Sequence, residues 1–145
     1  MLIKARSLDE LDAVAEALIS HFEKGYKVVL LNGDLGSGKT TMVKALCQLV
    51  GVMDPVSSPT FSLVQEYHSP SLGNIYHMDL YRLKSSGELE QIGFTEYLES
   101  GNVCLIEWPA LGKSSYSMPY VEVDIQVEKD NIRNFKINTH DEVDA

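Results

Sequence analysis

No stretch of this chain is both long and apolar enough to cross a bilayer. The longest apolar runs are VVLL at residues 28–31 and VCLI at residues 103–106, against the roughly 20 residues a spanning helix needs. Basic charge is scarce as well: 12 Lys and Arg stand against 21 Asp and Glu, for a formal net charge of −9. A grip on a phosphate backbone requires a cationic patch, so direct strong nucleic-acid binding is not expected, and a protein partner fits better. The only arginines, Arg6, Arg82 and Arg133, are widely separated. The two cysteines, Cys47 and Cys104, show no CxxC or Cys/His spacing, and read as small core residues of a reducing compartment. The N-terminus carries Lys4 and Arg6 but turns into SLDELDAVAEAL, with no apolar segment leading to a cleavage site. Secretion is therefore not expected, and the cytoplasm is. Internal repeats and low-complexity tracts are absent. The four histidines, His21, His68, His77 and His140, have neither metal spacing nor a nucleophile motif beside them, and no chemistry is assigned to them.

What is present suits one globular core: 145 residues, 44% hydrophobic and 23% charged. A single domain is expected over residues 1–138, with residues 139–145 as a polar tail. Ser7 and Glu10 have capping-box spacing, and Leu8, Leu11, Val14, Ala15, Leu18 and Phe22 follow at helical intervals. YKVVLLN has the length and β-branched content of a buried parallel strand, and TTMVKALCQLV is helical in pattern. MDPVSSPTF reads as a loop, SLVQEY and IYHMDLY as a hairpin laid on the sheet, and SSGELEQIGFTEYLES as a short helix or two turns with Leu89, Ile92, Tyr97 and Leu98 inward. VCLIE is a further buried strand, while YVEVDIQV and RNFKIN pair across EKDN. Strands alternating with helices predict an α/β fold of the three-layer P-loop NTPase type, a mostly parallel central sheet with appended antiparallel strands.

Between the first buried strand and its helix lies Gly33-Asp34-Leu35-Gly36-Ser37-Gly38-Lys39-Thr40, which satisfies G-x-x-x-x-G-K-[ST] in the required context. Its glycines let successive backbone N–H groups point at phosphate oxygens, and the helix N-terminus adds its positive end. The phosphate-binding set is therefore Gly33 through Gly38 with Lys39, Thr40 and Thr41. Lys39 is placed to reach the β- and γ-phosphates, and the Thr40 hydroxyl to bind Mg²⁺.

Such a site also needs a carboxylate at the end of a neighbouring strand. VCLIE presents Glu107 and IYHMD presents Asp79. Glu107 is read as the metal ligand, and Asp79 as supporting the metal shell, orienting water, or capping a turn. Thr60, in the proline-set SSPTF loop, is a candidate γ-phosphate sensor or part of a plain ordered turn. Trp108 packs in the core or shields the site. Arg82 stabilises transferred charge or forms an exposed ion pair. No DxxG or [NT]KxD is present to read guanine, so adenine is preferred. A small-molecule or nucleotide kinase shares the phosphate loop but closes an arginine-bearing lid, for which the scattered arginines offer little. An ATP-gated binding module, with incidental hydrolysis, is the third reading.

Taken together, GDLGSGKTT at residues 33–41, SPTFSLVQEY at 58–67, HMDLYRL at 77–83, GFTEYL at 93–98 and IEWP at 106–109 resemble the TsaE family. The resemblance runs from the first buried strand to the loop after Pro109. It implies a Mg²⁺-dependent ATPase, weak alone, that is engaged by the TsaB and TsaD proteins during threonylcarbamoyladenosine modification of tRNA. It also implies that Thr40 and Glu107 hold Mg²⁺, that Asp79 is needed for activity, and that Thr60 belongs to a switch-like loop. Ala110 departs from the polar or acidic residue many relatives carry after IEWP.

Overall fold

The computed structural model describes residues 1–57 and 63–141. In chain order these form β1 (Leu2–Ala5), α1 (Leu11–Glu23), β2 (Val28–Asn32), α2 (Lys39–Leu49), β3 (Val64–Ser69), β4 (Gly73–Asp79), α3 (Ser86–Gln91), α4 (Phe94–Glu99), β5 (Val103–Glu107), β6 (Tyr120–Val127) and β7 (Arg133–His140). Seven strands make one sheet in the order β1-β7-β6-β2-β5-β4-β3. Its centre is parallel, β6-β2-β5-β4, and antiparallel pairs β6-β7, β7-β1 and β4-β3 flank it. This is the fold class read from the sequence.

Why β2 and β5 are central follows from their side chains. Val29 and Leu31 pack with Leu105 against Leu18 of α1 and Met42, Val43 and Leu46 of α2. On the other face, Val28 and Leu30 pack with Cys104 and Ile106 against Leu89 of α3 and Phe94 and Leu98 of α4. Strands covered on both faces can be apolar at every position, which is why VVLL and VCLI do not alternate. Helices on both faces complete the three layers.

Four local readings change. The capping box does not form as spaced: Ser7 makes no side-chain cap bond, and the Glu10 carboxylate accepts the backbone N–H of Arg6 instead. A single 3₁₀ turn, Leu8–Glu10, precedes α1, and Leu8 is left exposed because that turn rotates it off the helix's buried stripe. The β3–β4 hairpin extends the sheet edge rather than lying on it, since β4 pairs in parallel with β5 and is largely buried. Finally, β7 continues to His140, two residues into the expected tail, because Val121 and Tyr120 pair with Thr139 and His140, and the His140 ring stacks on Tyr120.

Candidate functional site

The phosphate loop is built at the carboxyl end of β2. The Ser37 N–H closes a tight turn on the Asp34 carbonyl at 3.0 Å, and Gly38, at φ 106°, caps α2 in the left-handed region. From there the first N–H groups of α2 face the loop without intrahelical partners. The buried Ser37 hydroxyl has no hydrogen-bond partner among the described residues. Lys39 is folded back and buried: its Nζ donates to the Gly33 carbonyl at 2.5 Å and stands 3.5 Å from the centroid of the Trp108 ring. Burial lowers the pKa of this ammonium, opposed by the carboxylates of Glu107, Asp79 and Asp34. Trp108 thus shields the site rather than filling the core, and it does so from a left-handed backbone (φ 54°) and with Tyr81 packed on it.

Two neighbouring strand ends bring in the carboxylates. In the parallel register Glu107 lies beside Leu31 on one side and Asp79 on the other. Thr40 Oγ1 donates to Glu107 Oε2 at 3.3 Å, and the buried His77 Nε2 meets the same oxygen at 2.6 Å. Asp79 accepts the Tyr81 N–H at 2.9 Å, so it caps the turn and also lines the site. Burial raises the Asp79 pKa, and the Tyr81 N–H partly offsets that. Gly38, Lys39, Thr40, Thr41, Asp79, Glu107, Trp108 and Arg133 surround one cavity of about 240 Å³.

The residues suit a phosphate and a hard cation. A helix N-terminus, a lysine and an orphaned buried hydroxyl are donors for an anion. Thr40 and Glu107 are adjacent oxygen donors of the kind Mg²⁺ takes when most of its shell comes from phosphate and water. Among the sequence-selected residues, Asp34 and Leu35 are exposed; the Asp34 carboxylate still acts on Lys39, and Leu35 stands at the rim of the cavity. Thr60 lies outside the described residues.

Three participants were not legible beforehand. His77 shares a sheet face with Asp79 and Glu107, a placement the alternation of IYHMD allows but only the β4–β5 pairing creates. Tyr67 reaches His77 Nδ1 at 3.2 Å from β3. Arg133, from the start of β7, donates its Nε–H to the Ser37 carbonyl at 2.8 Å; no sequence spacing relates residues 37 and 133.

A protein-family model described as threonylcarbamoyl adenosine biosynthesis protein TsaE matches residues 5–136. The chain is 40% identical over 125 residues to the Haemophilus influenzae protein named tRNA threonylcarbamoyladenosine biosynthesis protein TsaE, covering 85% of this chain and 77% of that protein. The Bacillus subtilis protein of the same name is 37% identical over 125 residues, covering 86% and 77%. The crystal structure of Bacillus subtilis YdiB superposes with a TM-score of 0.75 at 30% identity, over 96% of this chain and 84% of that one. No helix among the described residues is long and apolar enough to cross a membrane. With the phosphate loop, the flanking strand ends and these similarities all in agreement, the chain belongs to the TsaE family.

Proposed function

We propose that this protein is a Mg²⁺-dependent ATPase, weak alone, that acts with the TsaB and TsaD proteins in threonylcarbamoyladenosine modification of tRNA. The observation that carries the reading is the meeting of Lys39, Thr40 and Glu107 across one cavity at the mouth of the phosphate loop. The loop amides and Lys39 bind the β- and γ-phosphates and stabilise charge as water displaces ADP from the γ-phosphorus. Lys39 must first leave the Gly33 carbonyl and the Trp108 face. Mg²⁺, held by Thr40 and Glu107, would supply charge neutralisation between the phosphates. Asp79 supports the metal shell or the attacking water, and Thr60 is assigned to γ-phosphate sensing.

The nucleoside end is assigned to the adjoining cavity of about 250 Å³, which shares Gly38, Thr41 and Arg133 with the phosphate site and continues to Arg6, Ser7 and Asn131. Ser7→Trp, which fills only this second cavity, is expected to weaken ATP binding about tenfold and leave inorganic tripolyphosphate binding unchanged. Calorimetry on both ligands checks it, and equal effects on both would remove the assignment.

The decisive experiment is ATP hydrolysis by the purified chain, alone and with TsaB and TsaD, beside Lys39→Ala. Partner-stimulated turnover that drops at least about a hundredfold in the variant is expected. Absence of stimulation, or phosphoryl transfer to a small acceptor, would overturn the reading in favour of a kinase.

A further inference from the structure

His77 is a fully buried ring in the strand next to Glu107. The register pairs His77 with Leu105 and Asp79 with Glu107, so the His77 and Glu107 side chains rise from the same sheet face, one step apart on adjacent strands. His77 is 0% exposed and Glu107 is 3% exposed. The 2.6 Å contact falls on Oε2, the oxygen that also accepts from Thr40. A hydrogen bond from the ring to a carboxylate oxygen takes Nε2–H as its donor. The other ring nitrogen, Nδ1, faces the Tyr67 hydroxyl at 3.2 Å. Tyr67 keeps its proton, because burial pushes that hydroxyl up to about 12. The same hydroxyl donates to Gln65 Oε1 and is 3.3 Å from the Ser57 carbonyl, so Tyr67 backs the ring and is itself tied to β3 and the main chain.

A leucine would occupy this position at lower desolvation cost, and a histidine there makes sense through its partner. We propose that His77, backed by Tyr67 at Nδ1, is a positioning residue that holds the Glu107 carboxylate in the orientation that serves Thr40 and a divalent cation. This rests on the reading of Glu107 as a metal ligand.

The test measures Mn²⁺ binding to the ADP-loaded protein by electron paramagnetic resonance, and ADP binding in EDTA by calorimetry. His77→Leu is expected to weaken Mn²⁺ about tenfold or more and to leave metal-free ADP binding within about twofold. His77→Gln, whose amide nitrogen reaches the place of Nε2, is expected to recover most of the loss. Tyr67→Phe keeps the ring but removes the group facing Nδ1, and is expected to cost about threefold. Wild-type Mn²⁺ affinity in His77→Leu overturns the proposal, as does an equal loss in His77→Leu and His77→Gln. Should His77→Leu fail to fold, the Gln and Phe variants decide: unchanged Mn²⁺ affinity in Tyr67→Phe then overturns it. Glu107→Gln, run in parallel, separates the two levels. If it loses Mn²⁺ while His77→Leu does not, only the positioning role falls; if it too binds Mn²⁺ normally, the metal assignment of Glu107 falls with it.

Discussion

At Gly38 the backbone turns into α2 with φ at 106°, and a Cβ there would stand 3.0 Å from Arg133 Nε. Both the left-handed conformation and the close approach of the guanidinium exclude a side chain. Gly38→Ala is expected to cost about 1–3 kcal/mol of stability and to abolish nucleotide binding; urea unfolding and calorimetry measure the two, and an unchanged affinity would show that the loop tolerates the shift of Arg133. The cysteines behave in the opposite way, being passive. Burial pushes the thiols of Cys47 and Cys104 up to about 12, from an ordinary value of 9.0. Because the folded pKa is raised, their contribution to stability is complete below pH 9 and is lost as pH climbs from 9 towards 12, where only the unfolded thiols ionise. Cys47→Ala/Cys104→Ala is expected to lose less stability between pH 8 and 11 than the parent does, as read by urea midpoints at each pH. Neither thiol should react with an aromatic disulfide reagent at pH 8 until the chain is unfolded.

The elements divide into those that hold the sheet and those that shape the site. α1 contributes Leu11, Val14, Ala15, Leu18 and Phe22 to the core, and none except Leu11, at the rim of the second cavity, lines either pocket assigned to nucleotide. Leu18→Ala is therefore expected to lower stability by about 2–5 kcal/mol while ATP affinity stays at the parent value below the melting transition. A matching loss of affinity would show that α1 packing sets the loop geometry. In β4 the relation is reversed. Ile75 packs in the core, while His77 and Asp79 on the same face serve Glu107 and the cavity mouth. One strand thus passes from apolar packing to site chemistry along its own length. β1 was invisible in the pattern because LIKA is short and mostly exposed; it is a strand only because β7 offers it an edge, with Ile3 opposite Phe135.

For the whole molecule, the topology places the carboxyl ends of β2, β5 and β4 side by side with the N-terminus of α2, the usual ligand crevice of an open α/β sheet. The net charge of −9 sets a further expectation: at physiological salt the chain alone should not retain tRNA on a filter. Retention by the chain alone would mean that its few basic residues converge in a way net charge hides. The phosphate loop, the β2 and β5 strands, α1, α2 and the two terminal carboxylates were all readable, because each is encoded by residues adjacent in the chain: a glycine spacing, a doubly buried apolar run, a helical period. The resemblance to a family rested on the same short motifs. Contacts between residues distant in sequence were not readable. That Arg133 anchors Ser37, that Tyr67 and His77 stand behind Glu107, and that the β3–β4 hairpin widens the sheet instead of covering it all depend on strand order and register. Those are settled by which faces can be buried together, a property of the assembled layers that no local pattern carries.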